Sequence, residues 1–142
     1  MAVELTGIDP RTIAAGQNVV FTETPIPCTR GFVSHREGSG LIMLKDNCQQ
    51  CRVLYKVEFI GNIALPTGGT AGPISVALAI DGEALPSATA IVTPAAVNEY
   101  FNVAATAFVS APRGCCVTVS VQNTSGVPIL AQNSNITIDR VA

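Results

Sequence analysis

Ile74-Ser75-Val76-Ala77-Leu78-Ala79-Ile80, followed at once by Asp81-Gly82-Glu83, is the stretch whose reading decides the fold. Ile74, Val76, Leu78 and Ile80 alternate with Ser75, Ala77, Ala79 and Asp81, a period of two that sets the larger apolar side chains on one face of an extended strand. Asp-Gly supplies the two residues able to take positive φ that a tight hairpin turn needs. The pair therefore predicts a return strand from about Glu83 to Thr93, with Pro86 confining its start to an edge or a bulge. The same period recurs in Val117, Val119 and Val121 against Thr118, Ser120 and Gln122. It recurs again in Val53, Tyr55, Val57 and Phe59, with Lys56 and Glu58 opposite.

Working outward, further strands are expected at about Val19–Glu23, Gly31–His35, Leu41–Leu44, Val53–Ile63, Tyr100–Val109 and Asn135–Val141. Turn clusters separate them, among them Pro66 to Pro73, Pro112-Arg113-Gly114 and Asn123-Thr124-Ser125-Gly126. No window carries a helical period. About eight to ten strands with turns every 8–12 residues make the expected class an all-β sandwich or barrel. At 142 residues the chain suits one domain, and no linker or repeat divides it.

Apolar residues make up 48% of the chain and charged residues only 13%, about half the usual share. So uncharged a surface is expected to hide part of itself in a partner, and self-association is the simplest route. The basic residues are scattered and the net charge is −2, which argues against nucleic acid as a partner. Met1 to Thr12 has an early acid and no run of 7–15 apolar residues, so no signal peptide is expected. Apolar stretches break well short of the ~20 residues a membrane helix needs.

Candidate chemistry is sparse. Cys48-Gln49-Gln50-Cys51 has the spacing of half a zinc knuckle, which Cys28, His35, Cys115 or Cys116 could complete. No second Cys-x-x-Cys accompanies it, and the competing expectation is five small packing thiols with no metal and no cofactor. Cys115 and Cys116, adjacent in a strand, should point to opposite faces. Around His35, the only histidine, no nucleophile with a base and an orienting acid can be assembled, and Gly68-Gly69 lacks the Lys-Ser/Thr of a phosphate loop. A non-enzyme is expected.

From about Val53 onward the order of words is familiar. It runs Val57-Glu58-Phe59-Ile60-Gly61-Asn62-Ile63, Pro66-Thr67-Gly68-Gly69-Thr70, Ile74 to Glu83, Pro86, Val92-Thr93-Pro94-Ala95-Ala96, Pro112-Arg113-Gly114-Cys115-Cys116 and Ile136-Thr137-Ile138-Asp139-Arg140-Val141. It resembles the trimeric jelly-roll domains, akin to tumour necrosis factor and complement heads, of firmicute phage structural proteins and spore-surface collagen-like glycoproteins. The resemblance implies a jelly-roll β-sandwich working as a homotrimer, with a body at 53–142. Residues 1–52 lie outside it and are expected to form a strand-containing attachment segment packed on the same domain. No Gly-X-Y repeat is present, which suits a virion protein better than a spore filament.

The implied function is a capsid decoration or head-fibre protein of a phage infecting a firmicute, made in the host cytoplasm and carried on the virion surface. The alternatives are a spore- or cell-surface head and a receptor- or glycan-binding head. The expected partner is the major capsid protein or another virion protein, with Arg11, Arg30, Arg36 and Lys45 as attachment residues. Val117, Val119, Val121, Ile136 and Ile138 are the candidates for core or trimer contact.

Overall fold

In the computed structural model, which describes residues 2–27, 32–45, 52–112 and 116–141, the alternation becomes eleven strands, and no helix occurs among the described residues. They are β1 (Ala2–Gly7), β2 (Arg11–Ile13), β3 (Glu23–Ile26), β4 (Val33–His35), β5 (Ile42–Lys45), β6 (Arg52–Ala64), β7 (Ile74–Ile80), β8 (Glu83–Val92), β9 (Phe101–Pro112), β10 (Cys116–Asn123) and β11 (Ile129–Arg140). One sheet has the order β3-β1-β11-β6-β9, with β2 also pairing β11; the other has the order β4-β5-β10-β7-β8. All the pairings are antiparallel. The chain crosses between sheets after β3, β5, β6, β8, β9 and β10, the winding of a jelly roll.

The Asp81-Gly82 turn forms as its chemistry requires. Asp81 takes φ 52° and Gly82 φ 84°, Ile80 pairs with Glu83, and the Asp81 carboxylate accepts from the Thr118 amide at 3.0 Å. Pro86 falls on the edge strand β8 beside a break in register, where the Thr89 hydroxyl donates to the Leu85 carbonyl at 2.8 Å.

The strand at Ala2–Gly7 and the short one at Arg11–Ile13 were not expected, and the count exceeds eight to ten. Val19–Glu23 is largely not a strand. Val19 and Phe21 are buried and held by a Val19 N–Val121 O bond of 2.8 Å and a bridge to Ser39, and the strand itself is Glu23–Ile26. β11 starts six residues before the expected Asn135, because a bulge between Gln132 and Asn135, with Asn133 at φ 54°, carries a polar stretch through the ladder. Gly7 ends β1 where a Cβ would come within 2.5 Å of the Val20 carbonyl oxygen, so a side chain would push the crossing segment away.

Residues 1–52 supply β1, which lies between β3 and β11, and β5, which lies between β4 and β10. They are thus woven into both sheets. The inward faces meet in a core built on Leu5, Phe21, Ile42, Leu44, Tyr55, Val57, Phe59, Ile63, Leu78 and Ile129, all at most 1% exposed. Each large side chain so buried contributes about 1.5–3 kcal/mol. Phe21 and Phe59 pack edge to face with centroids 6.5 Å apart. At one end the Tyr55 hydroxyl donates to the Lys45 carbonyl at 2.5 Å, and the Arg140 guanidinium lies 4.7 Å from the Phe32 ring centroid. At the other end sits Asn123, fully buried, whose amide donates to Ile13 O at 3.0 Å and Val127 O at 3.0 Å while its oxygen accepts from Ser125 N at 2.9 Å.

Candidate assembly surface

Strand alternation sorts every residue of the six-stranded sheet to the core or to the outside. The outward set forms rows across the strands: Ala2, Asp139, Lys56 and Phe108; Glu4, Thr137, Glu58 and Thr106; Thr6, Asn135, Ile60 and Ala104; then Asn62 and Asn102. The first two rows hold the charges, including a Lys56–Glu58 ion pair at 3.0 Å. The next two are uncharged. Asn135 there donates to Glu4 Oε2 at 2.8 Å, which draws that carboxylate's charge into a hydrogen bond.

On this face the large apolar side chains are out of place. Ile60 is 49% exposed on β6, which is paired on both sides, Phe108 is 61% exposed on the edge strand β9, and Ile26, opposite Glu4 on the far edge, is 52% exposed. The outward side of the other sheet carries Met43 and Ile91, the latter on its edge strand, with Ala77, Ala79 and Ser120 between them. Exposure at a sheet edge is common. Ile60 differs in lying on a strand paired on both sides.

Val117, Val119, Val121, Ile136 and Ile138 are at most 5% exposed in the single chain. They form inter-sheet core and leave no surface for a subunit contact, because their alternate phase points them at the opposite sheet. The basic candidates do not converge. Arg11 pairs with Ala131 near the start of β11, whereas Lys45 pairs with Cys116 at the start of β10. The end of β10 leads into the start of β11, so the two lie at opposite ends of the sandwich, roughly a strand length of ~25 Å apart. Arg36 is exposed in the turn between β4 and β5, and Arg30 lies outside the described residues.

Cys28, Cys48, Cys51 and Cys115 also lie outside the described residues, while Cys116 is exposed opposite Lys45. Among the described residues no group of three or more His, Cys, Asp or Glu side chains is placed to hold a metal. His35 sits at the end of β4, its Nε2 2.8 Å from the Ser39 carbonyl oxygen. No helix among the described residues is long and apolar enough to cross a membrane. Ile60 was not singled out in the sequence, and Phe108, whose aromatic ring suits a core position, is 61% exposed instead. Each is a large apolar residue in the polar phase of its strand, legible in Phe59-Ile60 and in Thr106-Ala107-Phe108.

No family model and no curated protein matches the sequence. Solved structures do. The globular domain of a zebrafish complement 1qA protein superimposes with TM-score 0.69 at 13% identity, covering 99% of this chain and 97% of that one. Murine APRIL gives 0.64 at 11%, covering 99% and 98%, and the PRD1 vertex protein P5 gives 0.52 at 16%, covering 99% and 96%. At these identities the likeness speaks for the fold: the chain is an all-β jelly-roll sandwich of the complement-head and tumour-necrosis-factor type.

Proposed function

We propose that the chain is a non-enzymatic structural head that assembles as a homotrimer through the outward face of its six-stranded sheet, and that it decorates the capsid, or forms a head fibre, of a phage infecting a firmicute. The observation that carries the assembly reading is Ile60, half exposed on a strand paired on both sides, in an uncharged row with the Asn62–Asn102 row on one side of it and the row of Glu4 and Glu58 on the other. Closed threefold symmetry would cover it and keep a chain with 13% charged residues in solution. The sequence resemblance, together with the fold shared with a protein named for a virion vertex, supports the viral role.

The partner in that role is the major capsid protein or another virion protein. Arg11, Arg36 and Lys45 would act there as separate contacts, since they share no patch. A receptor- or glycan-binding head is the weaker reading. Hydroxyls near the 124–127 turn are spent internally, Ser75 Oγ on Thr124 Oγ1 at 2.6 Å and Ser125 Oγ on the Ser75 carbonyl at 3.2 Å. The exposed loops at 67–71 and 124–127 also offer no aromatic anchor.

The test is a double substitution, Ile60→Glu with Phe108→Glu, read by sedimentation equilibrium and circular dichroism. Both side chains point outward, so the expected result is a folded monomer in place of a trimer. A trimer that survives both charges would rule out this face as the contact. Capsids of the cognate phage prepared without the protein should recover it on mixing, and failure to bind would remove the decoration role.

A further inference from the structure

We propose that the threefold axis of the assembly meets the six-stranded sheet at a row of side-chain amides, Gln132 on β11, Asn62 on β6 and Asn102 on β9, with Asn62 nearest the axis. The inference rests on the reading of that sheet's outward face as the contact between copies. Gln132 stands opposite Asn62, and Asn62 opposite Asn102, so the three lie side by side on neighbouring strands about 5 Å apart. Asn102 Nδ2 donates to Asn62 Oδ1 at 3.3 Å and to the Gly61 carbonyl at 3.4 Å. Among the described residues the row makes no other side-chain hydrogen bond. Asn62 Nδ2, Asn102 Oδ1 and the whole Gln132 amide thus stay open to a partner outside the chain.

The charged neighbours differ, because their bonds close within one copy. Lys56 pairs with Glu58 at 3.0 Å, and Glu4 takes the Asn135 amide at 2.8 Å. A threefold axis sets each residue beside it against its own copies. Three glutamates or three lysines repel there. An amide both donates and accepts, so three copies of Asn62 close a ring in which each Nδ2 hydrogen goes to the next Oδ1. The axis therefore meets β6 at Asn62, four residues and roughly 13 Å along the strand from Glu58. With the row lying across the axis, rotation brings the Gln132 flank of one copy against the Asn102 flank of the next, the head-to-tail match of a closed ring. Covering the face around Ile60 then leaves no amide without a partner, as burial requires.

The test uses substitutions that keep shape and change charge. Asn62→Asp and Gln132→Glu each place three like carboxylates where the ring closes, and Thr137→Asp places its charge in the row of Glu4 and Glu58, away from the axis. Sedimentation equilibrium at neutral pH should show the trimer dissociation constant raised at least roughly 100-fold by each of the first two. Thr137→Asp should raise it less than about tenfold. All three side chains point outward, so circular dichroism should keep its β signature, and either amide variant decides if the other fails to fold. Trimers as tight in both amide variants as in the unmodified chain, or a loss in Thr137→Asp equal to theirs, would overturn the axis position while leaving the trimer standing. An unmodified chain that is monomeric overturns the assembly reading itself and this inference with it.

Discussion

Val119→Asp is expected to leave no folded protein at 25 °C. Val119 is fully buried in the middle of β10, paired with Ile42 on one side and Ile80 on the other, with the opposite sheet against its side chain. An aspartate there loses about 1.5–3 kcal/mol of apolar burial and adds several kcal/mol for a carboxylate with no partner, against a total stability of 5–15 kcal/mol. One residue earlier, Thr118 points outward and its amide donates to the Asp81 carboxylate. Thr118→Lys puts a cation near that carboxylate and should change stability by less than ~1 kcal/mol. Urea unfolding of the two variants checks the register of β10 directly. Equal tolerance of both would mean that the strand faces the other way.

Asn123→Leu is the second large effect, expected to cost about 3–5 kcal/mol although leucine has nearly the same shape. The asparagine is fully buried, and its amide bonds Ile13 O, Ala14 O and Val127 O while its oxygen takes the Ser125 amide. Leucine leaves these backbone groups without their partner at the point where β2, the residues after it and the β10–β11 turn meet. The loss should appear as a lower urea midpoint with an unchanged slope. Thr124→Ala, which removes a hydroxyl exposed on the same turn, should cost under ~1 kcal/mol, and a similar loss for the two would mean that Asn123 is not the tie.

Most of the sandwich was legible because its long strands alternate large apolar with small or polar side chains. Val117 to Gln122, Ile74 to Ile80 and Val53 to Phe59 each have one face that water rejects, and period two leaves them no helical alternative. Ala2–Gly7 escaped because only Val3 and Leu5 mark its buried face, too short a pattern to be told from a polar terminus. The first half of β11 escaped because Gln132-Asn133-Ser134-Asn135 reads as a turn, and the bulge that carries it is a backbone event with no composition of its own.

For the site the lesson is different. Val119 and Ile138 were candidates for core or subunit contact alike, and they are core, since a strand's best apolar face goes to its own core first. The contact surface proposed here consists instead of apolar residues in the outward phase, Ile60 after Phe59 and Phe108 between Ala107 and Val109. The basic residues before position 50, scattered along the chain, were grouped only as candidates for attachment. Strands of opposite direction carried Arg11 and Lys45 to opposite ends.

Whether three copies close over the face around Ile60 is read from the mass of the purified chain in native conditions. At micromolar concentration a trimer gives a single species of about 44 kDa, three times the 14.7 kDa chain, with no dissociation on dilution to the lower micromolar range. A single species near 15 kDa, with Ile60 and Phe108 open to water, would contradict it.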